Sequence, residues 1–164
     1  MESAEIVAHI PRLRRYARAL TGDGHRADDL VQDTLERALA KYYLWRRGSD
    51  LRAWLFTIMH NVFVNQLKAR RELALDDAVE DGLQSPPRSD PLELRDLDAA
   101  LRQLPVEQRE VLLLVGLEQL SYAEVSDALG IPIGTVMSRL SRGRERLRAA
   151  MSGSANATSL RAVK

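Results

Sequence analysis

The chain has no cysteine. It can therefore form no disulfide, no thiolate metal site and no thiol redox switch. Its three histidines, His9, His25 and His60, stand far apart with no pair at ligand spacing, so neither a metal site nor another cofactor is expected. Nor is there an apolar run of the ~18 residues needed to cross a bilayer, or a signal-peptide core at the N-terminus. The expectation is a soluble, cytoplasmic protein with no membrane insertion. No internal repeat is visible, and charge of one sign does not dominate: 24 Lys and Arg against 23 Asp and Glu leave +1 over 164 residues.

That near-zero balance conceals segregation. Arg12, Arg14, Arg15 and Arg18 lie near the start, Lys68, Arg70 and Arg71 mid-chain, and Arg139, Arg142, Arg144, Arg146 and Arg148 near the end. Between the last two groups lies an acidic stretch with Glu72, Asp76, Asp77, Glu80, Asp81, Asp90, Glu93, Asp96 and Asp98. Separate basic and acidic surfaces suit a protein that meets nucleic acid on one side and a protein partner on another.

The periodicity is helical nearly throughout. Ile6, Ile10, Leu13, Ala17 and Leu20 form one stripe, with Pro11 marking a kink or the true helix start. After the turn Thr21–Gly24, Leu30, Val31, Thr34, Leu35, Ala38, Leu39 and Tyr42 give a second amphipathic helix. Ser49 or Asp50 can cap a third, running through Trp54, Leu55, Ile58, Met59, Val62 and Leu67. Residues 73–91 are acidic and turn-rich, with Ser85-Pro86-Pro87, and read as a flexible linker. The helical pattern resumes at Leu92, restarts at Pro105 and includes the apolar run Val111–Val115. The expected fold is all-α, with two small helical domains over 1–72 and 92–151 and a disordered tail over 152–164.

The most specific signal is Leu120 to Arg148. Ser121 can cap a helix with Glu124 closing a capping box, and Leu120 and Val125 can form the hydrophobic staple. Gly130 suits a left-handed C-cap, and Pro132 suits the first turn of the next helix. That helix places Ile133, Val136 and Leu140 on one face and crowds five arginines against Glu145. A short capped helix, a glycine turn and a basic second helix are what docking into a DNA major groove requires. An arginine-rich helix face that is merely solvated is the plainer alternative.

Both halves together resemble the extracytoplasmic-function group of bacterial RNA polymerase sigma factors. The resemblance runs through ADDLVQDTLERA at 27–38, LRAWLFTIMHNVFVNQLKARR at 51–71, LRQLPVEQREVLLL at 101–114 and the helix-turn-helix. It implies a sigma region 2-like first domain and a region 4-like second domain. The protein would bind core RNA polymerase and promoter DNA and be held inactive by an anti-sigma factor. Asp28, Asp29, Gln32, Asp33 and Glu36 line a polar helix face that the resemblance assigns to the polymerase clamp helices, and acids suit a basic partner. A solvated face is the alternative. Tyr42, Tyr43 and Trp45, with Asn61, Asn65 and Lys68 on the next helix, fall at the position that contacts the minus-10 element. Exposed rings there could stack on unpaired bases, while core packing is equally open for Tyr42 and Tyr43. On the recognition helix the resemblance turns Met137, Ser138, Ser141 and Arg142 toward minus-35 bases, and Arg139, Arg144 and Arg146 toward phosphates. Met137 departs from the lysine or arginine common there, which removes a bidentate guanine reader.

The resemblance implies no enzymatic activity, catalysis belonging to the polymerase. Two rivals stand beside it. A sigma-like decoy that sequesters an anti-sigma factor would share the fold but not need the arginine helix. A DNA-processing enzyme would need a carboxylate cluster in a pocket, whereas Asp28, Asp29 and Asp33 pattern onto an open helix face.

Overall fold

The protein is described here by a computed structural model covering the backbone of residues 2–76 and 92–162, with side chains over 4–74 and 95–153. The expected linker from residue 77 onward lies outside the described residues. Those described form helices α1 (Glu2–Val7), α2 (Ile10–Thr21), α3 (Gly24–Ala40), a 3-10 turn (Tyr42–Leu44), α4 (Leu51–Asp76), α5 (Leu92–Arg102), α6 (Val106–Gly116), α7 (Tyr122–Leu129) and α8 (Ile133–Ala162).

The first unit packs α2 against α3 and α3 against α4. Pro11 sits in the first turn of α2, so it starts that helix and separates it from α1. Gly22 closes α2 in the left-handed conformation at φ 70°, and Asp23 then caps α3 by accepting from the His25 N–H at 2.9 Å. Leu13, Leu20, Leu30, Leu55, Phe56 and Met59 are fully buried, each contributing about 1.5–3 kcal/mol relative to exposure. Leu39 departs from its expected place on the apolar stripe and is 53 % exposed. The buried line of α3 runs through Ala27, Val31, Thr34 and Ala38, and Leu39 falls one position round on its flank.

The second unit packs α6 against α8, and α5 and α7 also pack on α8. The capping box of α7 is present, Ser121 Oγ accepting from the Glu124 N–H at 3.1 Å and Glu124 Oε1 from the Ser121 N–H at 2.9 Å. Leu120 and Val125 are buried beside it, and Gly130 ends the helix at φ 66°. A Cβ on Gly143 would lie 3.4 Å from the Gln108 carbonyl oxygen, so glycine there lets α8 approach α6 closely.

Two boundaries differ from expectation. Helix α4 continues to Asp76, four residues into the stretch read as linker. Helix α8 continues to Ala162, through most of the stretch read as a disordered tail. In both places composition changes but no proline intervenes, and extending a formed helix is far easier than starting one.

The two units are docked on each other, α2 against α6 and α4 against α7. This explains why α6 is apolar on more than one side: Val111, Leu113 and Leu114 are buried and Leu112 and Val115 partly so, between a partner unit and its own.

Candidate nucleic-acid interface

Helix α8 is fixed from beneath by Val136 and Leu140, both buried. Met137, Ser138, Ser141 and Arg142 are exposed on the side away from these two, Arg144 and Arg146 are exposed on its flanks, and Arg139 is half-buried. Met137 and Ser141 open onto a groove of about 380 Å³ bounded by Tyr122 of α7 and by Arg144, Glu145 and Arg148. An exposed basic helix on a capped scaffold can enter a DNA major groove without rearrangement.

In the first unit the aromatic cluster divides. Tyr42 is buried, and its hydroxyl donates to Glu5 Oε2 at 2.6 Å. Its ring packs 5.5 Å from Trp45 and edge-on to Trp54 at 6.5 Å. Tyr42 is therefore a pillar of the loop and not free to stack on a base. Tyr43 is 80 % exposed. Trp45 is half-buried, and its Nε1–H is buried with no protein acceptor. Asn61, Asn65 and Lys68 are exposed along one face of α4. Tyr43, Asn61, Asn65 and Lys68 thus offer one ring and three polar side chains to solvent from the same unit.

Asp28, Asp29, Gln32, Asp33 and Glu36 are all exposed on one face of α3. Asp29 and Asp33 also line a cleft of about 310 Å³ shared with Phe63, Gln66 and Leu67 of α4. Gln66 Nε2 donates to Asp33 Oδ2 at 2.8 Å, orienting that carboxylate. Sequence reasoning missed the α4 contribution, although Phe63, Gln66 and Leu67 follow helical spacing.

Sequence reasoning also missed the polar residues between the units. Glu118 is 2 % exposed, and its carboxylate oxygens have no hydrogen-bond partner. Arg15 Nη2 lies 3.6 Å from Oε1, an ion-pair distance beyond hydrogen-bond reach. Burial raises the Glu118 carboxyl above its ordinary pKa, against the opposing pull of Arg15, Arg12 and Arg52. Arg52 donates to the Glu118 carbonyl oxygen at 2.9 Å. His60 Nδ1 contacts Glu110 Oε1 across the same seam. Arg109 donates to the Leu20 carbonyl oxygen at 2.7 Å, and within its own unit to those of Leu101, Arg102 and Leu104. Tyr16, fully buried between these groups, has its phenol pKa pushed well up by desolvation and by Glu110 and Glu118.

Among the described residues no group of three or more His, Asp or Glu is placed to hold a metal, and no helix is long and apolar enough to cross a membrane.

Comparison with known proteins covers both units. Residues 6–60 match the family described as the Sigma2 domain of PhyR, and residues 94–147 match Sigma-70, region 4. The chain is 44 % identical over 151 residues to the ECF RNA polymerase sigma factor EcfG of Rhodopseudomonas palustris, spanning 88 % of this chain and 82 % of that protein. Among solved structures it is similar to the sigma factor RpoE in complex with the anti-sigma factor NepR from Bartonella quintana. That likeness has a TM-score of 0.82 and 37 % identity over 92 % of this chain and 96 % of that one. It is also similar to CnrH in complex with the cytosolic domain of CnrY, with a TM-score of 0.69 and 26 % identity over 93 % and 88 % of the two chains.

Proposed function

The chain belongs to the extracytoplasmic-function RNA polymerase sigma factors, and from that premise we propose how its surfaces divide the work of promoter-specific initiation. It binds core RNA polymerase and directs it to promoter DNA, as its family does. The first unit, residues 1–72, takes the polymerase on the acidic face of α3. Asp28, Asp29, Gln32, Asp33 and Glu36 meet a basic surface there, with Gln66 holding Asp33 in place.

The same unit engages the minus-10 element. Tyr43 stacks on an unpaired base, Trp45 supports it from the half-buried side, and Asn61, Asn65 and Lys68 contact the captured strand. Tyr42 shapes the loop from within. The second unit, residues 92–151, reads the minus-35 element through Met137, Ser138, Ser141 and Arg142. Arg139, Arg144 and Arg146 hold phosphates. Residues 73–91 connect the two units. The protein carries no catalysis of its own, and its place of work is the cytoplasm, where polymerase and chromosome meet.

The single observation that supports this division is the exposure of the α8 arginines on a helix buried at Val136 and Leu140. A sigma-like decoy would need the fold but has no use for a DNA-reading surface. An anti-sigma factor completes the set of partners, by likeness to RpoE, solved in complex with the anti-sigma factor NepR. In-vitro transcription with core polymerase on a promoter library tests the reading: selective transcripts are expected, and a chain that binds an anti-sigma factor yet never supports initiation would overturn it.

A further inference from the structure

Two tyrosines follow one another in the turn after α3, and the fold treats them oppositely: Tyr42 is buried and Tyr43 lies in solvent. The turn is a single 3-10 one. It is closed by the Leu44 N–H on the Lys41 carbonyl oxygen at 2.9 Å and by the Trp45 N–H on that of Tyr42 at 3.0 Å. At three residues per turn, neighbouring side chains point about 120° apart, so only one of the two rings can enter the core. Apolar area does not choose between them, because the rings are the same size. The hydroxyl does. A buried phenol is costly unless it is hydrogen-bonded, and Tyr42 donates to Glu5 Oε2 at 2.6 Å.

Glu5 reaches that position on a short separate helix. Helix α1 has six residues, too few to persist in isolation. It is held by Ile6, which is buried, and by packing on α3. The far end of the loop is fixed without α1. Ser49 donates through its N–H and its Oγ to the Arg46 carbonyl oxygen, at 3.1 and 2.6 Å, and Gly48 turns the chain at φ 95°. Asp50 Oδ1 then accepts from the Arg52 N–H at 3.0 Å. Only the near end, where one ring is taken in and the other left out, depends on α1. The Glu5 charge by itself works against strand binding, since a carboxylate touching the neighbour of a DNA-facing ring repels phosphates.

We infer that Glu5 is a positioning residue for the minus-10 element: by holding the Tyr42 hydroxyl it keeps that ring inside and Tyr43 outside, so the loop meets an unpaired base already formed. This inference rests on the minus-10 reading proposed above. Without Glu5 the hydroxyl is drawn toward water, and the turn rotates with it, carrying Tyr43 off its outward position. Apparent affinity falls with the competent fraction. If about one molecule in ten keeps Tyr43 outward, capture of the base weakens about tenfold.

Two measurements on the full chain test this. Nitration by tetranitromethane, mapped by peptide mass spectrometry, reports which tyrosine is accessible without any DNA. Tyr43 should be modified and Tyr42 protected in the wild type, and in Glu5→Ala the modification of Tyr42 should rise to the level of Tyr43. Unchanged protection of Tyr42 overturns the brace. Glu5→Gln keeps an acceptor of the same reach and should keep most of the protection, and a Gln variant as open as Ala overturns the hydrogen bond as its means. For function, holoenzyme is titrated with a fork-junction promoter from the library, carrying 2-aminopurine at the captured minus-10 position. Glu5→Ala should weaken capture about tenfold and leave affinity for a minus-35 duplex unchanged. Adding Tyr42→Phe should restore capture to within about twofold of wild type, because no hydroxyl is then left to orphan. A double variant as weak as Glu5→Ala overturns the hydroxyl as the link. Deleting a carboxylate as mere charge would tighten strand binding, so unchanged or tighter capture by Glu5→Ala overturns the proposal. Tyr43→Ala separates the inference from its premise. Full capture by that variant overturns the minus-10 reading and the role of Glu5 in it, whereas loss by Tyr43→Ala with full capture by Glu5→Ala overturns Glu5 alone.

Discussion

At the scale of single residues, reading and positioning separate cleanly on α8. Arg142 lies four residues after Ser138 and one after Ser141, exposed and turned away from Val136 and Leu140. Arg142→Ala should cost about 1–3 kcal/mol at one minus-35 position and relax preference there. Arg146→Ala should weaken all promoters alike and lower the salt slope by about one ion. A panel of promoter variants at two salt concentrations distinguishes them, and identical uniform losses would remove Arg142 as a base reader. Glu118 makes a prediction of a different kind. Burial raises its pKa in the docked chain, so the docked state takes up a proton more readily than the parted one. Docking should therefore strengthen as pH falls through the raised value and gain nothing more once pH is below the ordinary carboxylate range. The groups facing Glu118 are Arg15, Arg12 and Arg52, with Tyr16 adjacent. The His60–Glu110 contact is common to wild type and Glu118→Gln, so the difference between their docked fractions from pH 8 to 5 isolates this carboxyl. Glu118→Gln should be the more firmly docked at neutral pH, and equal docking at every pH would refute the assignment.

At the scale of elements, what was legible was local. Ser121, Glu124, Gly130 and Pro132 specify α7, its turn and the start of α8 within a dozen positions, because caps and left-handed turns are chemistry between near neighbours. Ser121→Ala should destabilise the second unit by about 1 kcal/mol, measured as a lower midpoint in urea. The acidic face of α3 was equally legible, and reversing Asp29 and Asp33 to Lys should weaken co-purification with core polymerase while thermal stability holds, since both side chains are exposed. Tyr42 was not decidable from sequence, because only the approach of Glu5, Trp45 and Trp54 turns that ring inward. Nor was the seam: Arg109 and Leu20, or His60 and Glu110, are tens of residues apart, and each alone reads as an ordinary solvated charge. The trace it left was the run Val111–Val115, too apolar for a helix with one buried face.

At the scale of the whole molecule, two units too small to be stable by a wide margin alone are joined by polar contacts across one seam and by α6 packed between them. Arg109 makes the joint asymmetric. It ties the ends of α5 and α2 at once, through Leu101 and Arg102 on one side and Leu20 on the other. When the seam parts it gives up a single carbonyl and keeps the others, so the second unit stays capped. Docking therefore couples the units thermodynamically without making either dependent on the other for its fold. The intact chain should melt in one cooperative transition, with calorimetric and van't Hoff enthalpies equal. The Arg15→Glu and Arg52→Glu double variant should melt in two, the first unit and the second each at its own temperature. A protein whose cooperativity is set by a few polar contacts across one seam behaves as one folding unit or two according to its partners, and the heat-capacity trace becomes a readout of which state it occupies.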